Sequence, residues 1–191
     1  LAAGTNVQYA EGQVTSRAAL TPEMKLTVKA VKKAVRFLKK QNAKKINGYY
    51  YGIVHPDCSY DLTEDARWID AVKYKNPERI YNGEIGEIEG ARFVETTEAK
   101  IWAKAGAAKS TSDTTKIDVY GTLIFGANAY ATTKIEGGGL KTIIKQLGSA
   151  GTGDPLDQRA TVGWKALKVT EILTEAYMIR IETASTFSDG E

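Results

Sequence analysis

The sequence holds a single cysteine, Cys58, and a single histidine, His55, among its 191 residues. One cysteine excludes an intrachain disulfide and sets an intracellular folding environment as the expectation. Together the two counts remove most zinc sites, whose ligands come mainly from His and Cys. They also close most routes to a Ser-His-Asp or Cys-His arrangement. No apolar run approaches the length of a bilayer crossing, which excludes a membrane-spanning helix and a membrane partner. The opening Leu1-Ala2-Ala3-Gly4-Thr5 has neither a basic start nor an apolar stretch, so no signal peptide is expected. It also lacks an initiator Met, so the chain is read as processed, trimmed or a fragment. The sequence shows no repeat and no linker long enough to part independent domains.

What is present suits a folded protein: hydrophobic residues make up 42% and charged residues 26%. The net charge of +3 is segregated. Residues 21–45 carry nine basic groups (Lys25, Lys29, Lys32, Lys33, Arg36, Lys39, Lys40, Lys44 and Lys45) against Glu23 alone, a local +8. The remainder holds 17 basic and 22 acidic groups, or −5. A basic element on an acidic body can meet an acidic surface on a copy of itself or a polyanion; charge alone favours the plainer reading, a solvated helix face.

Residues 1–20 read as an extended arm or loop with little core of its own. Thr21 as cap, Pro22 in the first turn, and Met24, Val28, Val31, Val35 and Leu38 on one stripe predict a helix over 22–41. At about 1.5 Å per residue that spine would be about 30 Å long. Ile46–Val54 predicts a strand stopped by Pro56. Asp61 and Glu64 resemble a capping box on a second helix carrying Leu62, Ala66, Ile69 and Val72 and ending before Pro77. Ala91–Thr97 predicts a strand, 105–115 an exposed loop, and Ile117–Ala131 a helical face weakened by Gly121 and Gly126. A turn at Gly137–Gly139, a strand at Thr142–Leu147, a long loop at 148–155, and strands at Thr161–Ile172 and Tyr177–Thr183 complete an α+β plan with antiparallel strands and long loops.

Chemistry-bearing residues are sparse. His55-Pro56-Asp57-Cys58, with Asp61 and Asp65 beyond, has metal-ligand types, but Pro56 is expected to turn His55 and Cys58 apart. Glu84, Glu87, Glu89 and Glu95 could supply paired carboxylates, yet alternation on a partly exposed strand accounts for them. Residues 148–155 (GSAGTGDP) lack the Gly-Lys-Ser/Thr ending of a phosphate loop. Trp68, Trp102 and Trp164 are not interleaved with Arg, so they are expected in the core or at subunit contacts rather than in a base-stacking platform. No catalytic residue, metal ligand or cofactor-binding residue is assigned, and the chain is expected not to be an enzyme.

Four elements, in order and spanning about residues 46–181, resemble one family. These are His55–Leu62 with Asp65 and Trp68; Gly83-Glu84-Ile85-Gly86 leading into Gly90–Thr96; Phe125-Gly126-Ala127-Asn128-Ala129-Tyr130 as an "FGxxAY" element; and Asp154-Pro155-Leu156-Asp157-Gln158-Arg159 with Val162-Gly163-Trp164-Lys165 as "DPLxQR…VGWK". The family is the tailed-bacteriophage major capsid (coat) proteins with the Hong Kong 97-type capsid fold. The resemblance implies an arm or extended-loop remnant at 1–20, a peripheral domain of 21–60 with 161–191, and an axial domain of 61–160. This chain departs from the pattern at its start, where the arm is expected to be missing. The implied partners are copies of itself in pentamers and hexamers, scaffolding or portal proteins, and packaged double-stranded DNA held non-specifically. The implied places are the virion capsid and, during assembly, the host cytoplasm. Two rival readings are the shell of a bacterial encapsulating compartment and a carboxylate-dependent hydrolase using Glu84 and Glu87.

Overall fold

The computed structural model describes residues 5–75, 85–110, 112–133, 138–149, 153, 156 and 158–188. It divides into two compact units, residues 1–129 with 172–191, and residues 130–171. The first unit is built on a seven-stranded sheet with one long helix packed on it.

That helix, α1 (Val28–Lys40), is 13 residues long and shorter than the predicted 22–41 spine. Thr27, not Thr21, is its cap: the Thr27 side chain accepts from the Ala30 amide, and Asp65 Oδ2 accepts from Val28 N at 2.8 Å. Residues ahead of Thr27 therefore leave the helix axis, Thr21 closing a turn onto Met24 N. The span shrinks to about 20 Å. The expected stripe is otherwise as drawn, with Val28, Val31, Val35 and Leu38 buried beside Ala30 and Ala34, and Lys32, Arg36 and Lys39 exposed.

The main sheet contains β1 (Val7–Tyr9), β2 (Tyr50–Val54), β3 (Glu87–Ile88), β4 (Ala91–Glu95), β5 (Ile101–Trp102), β6 (Val119–Phe125) and β11 (Met178–Thr183). Its order is β1-β11-β6-β2-β4-β3, with β5 beside β6. It is a mixed sheet, not an antiparallel one. β1 runs parallel to β11, and β2 parallel to β4. The second parallel pair follows from the helices α2 (Pro56–Thr63) and α3 (Ala66–Lys75), which carry the chain back between β2 and β4. Side chains of α1 meet Val54, Ile124, Ile179 and Ile181 in one continuous core.

Three further expectations are corrected. Ile117–Ala131 is not helical: β6 is the sheet's central strand, paired with β11 and β2. A strand buried on both faces loses its alternation, so its apolar residues imitate a helical stripe. Its glycines have steric reasons, since a Cβ on Gly121 would lie 2.9 Å from the Trp102 ring and one on Gly126 2.6 Å from the Lys44 carbonyl oxygen. The single helix from Asp61 becomes two, because Pro56 opens α2 and Asp65 opens α3, leaving Asp61 inside α2. Residues 5–20 are not a loose arm: β1 completes the sheet edge, and Ala10 and Leu20 are fully buried. Of the segment 105–115, the base is hydrogen-bonded to residues 20 and 117 while the tip is exposed.

The second unit contains β7 (Tyr130–Thr132), β8 (Lys141–Lys145) and β9 (Thr161–Lys165); β10 (Thr170–Ile172) pairs with β7, and β8 with β9, in two small ladders. Pro77, Glu84, the turn at 137, and most of 148–155 lie outside the described residues.

Candidate assembly surfaces

The His55–Trp68 element is held together by structural contacts. His55 caps α2, its Nδ1 accepting from the Asp57 amide at 3.3 Å. Cys58 is fully buried, burial pushes its thiol up, and its sulfur lies 3.8 Å from Thr183 Oγ1. The buried Asp61 carboxylate accepts from both the backbone and the hydroxyl of Thr186, tying α2 to the chain after β11. Asp65 caps two helices at once through Val28 N and Arg67 N. Trp68 donates from its indole to the Ile85 carbonyl. These side chains are turned to different partners. Among the described residues, no group of three or more His, Cys, Asp and Glu could hold a metal ion.

Asp65 is thereby exposed to a direct check. Replacing it with Ala should cost about 1–2 kcal/mol, the usual range for a lost cap, and Asp65→Asn much less because an acceptor remains. Urea midpoints of the two variants read the difference; equal midpoints would show that Asp65 does not organise α1 and α3.

The carboxylates considered for catalysis are dispersed as well. Glu87 stands exposed on β3, Glu89 pairs with Lys32 at 3.5 Å, and Glu95 accepts from Ser59. Glu84 is outside the described residues. The Phe125–Tyr130 element ends β6: Gly126 presses on Lys44, Ala127 N donates to the Lys44 carbonyl, and Asn128 takes the left-handed conformation at φ 61°.

The Val162–Lys165 element differs, because nothing among the described residues of the second unit covers its side chains. In the β8–β9 ladder Ile144 stands opposite Val162 and Thr142 opposite Trp164. Residues two apart share a face, so Ile144, Val162 and Trp164 form one apolar patch. They are 64%, 75% and 74% exposed. Clusters of exposed apolar side chains mark interaction surfaces. Trp164 carried no signal that separated it from Trp68, which is buried, or from Trp102, which is stacked under the Arg17 guanidinium at 3.9 Å.

A second surface is cationic. Of the helix α1 cations, Lys29 pairs with Glu11 at 2.5 Å, Lys32 with Glu89, and Lys33 donates to the Glu11 carbonyl at 3.1 Å. Arg36, Lys39 and Lys40 have no acidic partner among the described residues.

The fold is that of solved phage capsids. The chain is similar to the capsid of Ralstonia phage GP4 (TM-score 0.69, 14% identity, 99% of this chain and 55% of that one). It is likewise similar to the capsid asymmetric unit of cyanophage Pam1 (TM-score 0.70, 12% identity, 97% and 55%) and to the capsid of cyanophage P-SCSP1u (0.62, 16%, 96% and 54%). The chain thus spans about half the length of these solved capsid chains. No curated protein matches it. A model of the phage capsid protein family matches residues 1–147. On that match, this chain belongs to the phage capsid protein family.

Proposed function

We propose that the protein is a structural subunit that self-assembles into a phage or prophage head, acting by geometry and not by turnover. The observation that carries this reading is the apolar face of Ile144, Val162 and Trp164 on a ladder of only two strands. A lone two-stranded ladder has marginal stability in water and needs a covered face. A neighbouring copy supplies that cover, and contacts that are weak singly become persistent in a closed lattice through multivalency. The family match supports the same reading.

In this proposal the subunit has the Hong Kong 97-type arrangement. The expected divisions at 20, 60 and 160 would cut the sheet that joins β1, β11, β6, β2 and β4, so the proposal takes 1–129 with 172–191 as one unit of that arrangement. The second compact unit, 130–171, straddles the later of these divisions. Copies form pentamers and hexamers, assembled in the host cytoplasm with scaffolding or portal proteins, and the finished shell surrounds double-stranded DNA without reading its sequence.

The double variant Val162→Glu, Trp164→Glu tests this. A buried aromatic anchor is worth about 2 kcal/mol or more at an interface. The variant should keep the circular dichroism of the wild type, whose main core lies in the other unit, but remain as monomers in sedimentation velocity where the wild type forms capsomers. Wild-type assembly by the variant would remove the observation on which the reading rests.

A further inference from the structure

We infer that the groove between β1 and the C-terminal half of α1 receives an extended acidic segment from a second copy of the chain, a contact that rests on the assembly reading and gives it a partner and a place. The groove has a volume of about 560 Å³ and is lined by Asn6, Thr15, Lys33, Arg36 and Lys40, with Phe37 beside them. Three observations define what fits there.

The first is charge. Lys29 and Lys32 are already paired with Glu11 and Glu89, Lys33 donates only to a neutral carbonyl, and Arg36 and Lys40 find no acid among the described residues. The last turn suits cations through the helix dipole, which explains why Lys40 is stable there but not why it lines a concavity with Arg36 and Lys33. The rest of the chain carries 17 basic and 22 acidic groups, so another copy offers the complementary sign.

The second is the sheet edge. β1 ends the strand order, with β11 as its neighbour on one side. Asn6 O and Ala10 N are bonded to β11, so strand alternation turns the backbone N–H and C=O of Val7 to the open side. An open edge accepts an added strand, whose main chain binds there while its side chains reach the flanking groups.

The third is shape. A space between a strand and a helix admits an extended polypeptide, while duplex DNA presents its phosphates on a wide convex rod. Together these describe an acidic strand, not a nucleic acid.

Mixed capsomers of unlabelled and 15N-labelled wild-type protein, treated with a carbodiimide that joins Lys to Asp or Glu at zero length, test the contact by mass spectrometry. Cross-links of mixed isotope content from Lys33 or Lys40 are expected. Two variants accompany them: Arg36→Glu with Lys40→Glu, and Val7→Pro, which removes the outward N–H without touching a cation. Both should fold, and both should assemble about tenfold or more slowly at low salt, the scale on which steering charges act. Mixed cross-links confined to other lysines, with both variants assembling at the wild-type rate, would overturn the groove while leaving the assembly reading intact. If the charge variant assembles normally and instead loses duplex DNA binding, the cations face nucleic acid and the inference is wrong. If wild type fails to assemble, the assembly reading fails and the groove contact with it.

Discussion

Val31→Asp should not yield a folded protein. Val31 is fully buried in the middle of α1, with Ala30, Ala34 and Val35 around it and the isoleucines of β6 and β11 in the same core. The surrounding core cluster is apolar, so a carboxylate there would be left uncompensated. The penalty is on the order of 4–5 kcal/mol, comparable with the whole stability of a small domain. Far-ultraviolet circular dichroism and the soluble yield read the outcome. Lys32→Asp, one position along and exposed, is the control and should fold, since it exchanges only a solvated pair with Glu89. A folded Val31→Asp protein would mean that α1 does not cover the sheet.

The second large effect is expected at Glu182. This carboxylate is wholly buried on β11, receiving Arg17 Nε at 2.6 Å, a second Arg17 nitrogen at 2.8 Å, and Arg180 Nε at 2.8 Å. Arg17 also stacks on Trp102. The cluster fastens residues 5–20 to the sheet by a route independent of the β1 ladder. Removing one member of a buried ion cluster leaves the others uncompensated and typically costs about 3–5 kcal/mol. Glu182→Ala should approach that loss, while Glu182→Gln should lose less because its amide oxygen still accepts. Thermal unfolding measures both. Replacing all three members, Arg17→Met, Arg180→Met and Glu182→Leu, should recover much of the stability, as apolar substitutes for buried ion clusters often do. If Glu182→Ala unfolds at the wild-type temperature, the N-terminal segment is not held through this cluster.

What the sequence made legible, and what it hid, divides along contact range. The α1 stripe was readable because its period belongs to one helix. Its start was not, because the choice between Thr21 and Thr27 is made by Asp65, a residue on a different element. β6 reads as a helical face in sequence because a strand with partners on both sides and cover on both faces shows no alternation. The N-terminal segment looked unstructured for the related reason that its pairing partner, β11, comes at the opposite end of the chain. Long-range pairing leaves no local periodicity to read.

The motif residues show the same division. Recognising His55–Trp68 and Phe125–Tyr130 pointed to the family, but their roles as caps, staples and a tight turn emerged only with the fold. The Val162–Lys165 element is the reverse case. Its backbone belongs to an expected strand, Thr161–Ile172, which the structure divides into β9 and β10 with different partners, and Trp164 is assigned to core or contact only by its exposure. The charge segregation is visible in composition. Which cations already have an acidic partner is not, and that moves the interest from Lys29 and Lys32 to Arg36 and Lys40.

Electron microscopy of the protein produced from its complete gene tests the central claim most directly. A structural subunit of a phage head should appear as closed shells or as ring-shaped capsomers of five and six copies. A homogeneous monomer, persisting at high concentration and across salt and pH, would contradict it.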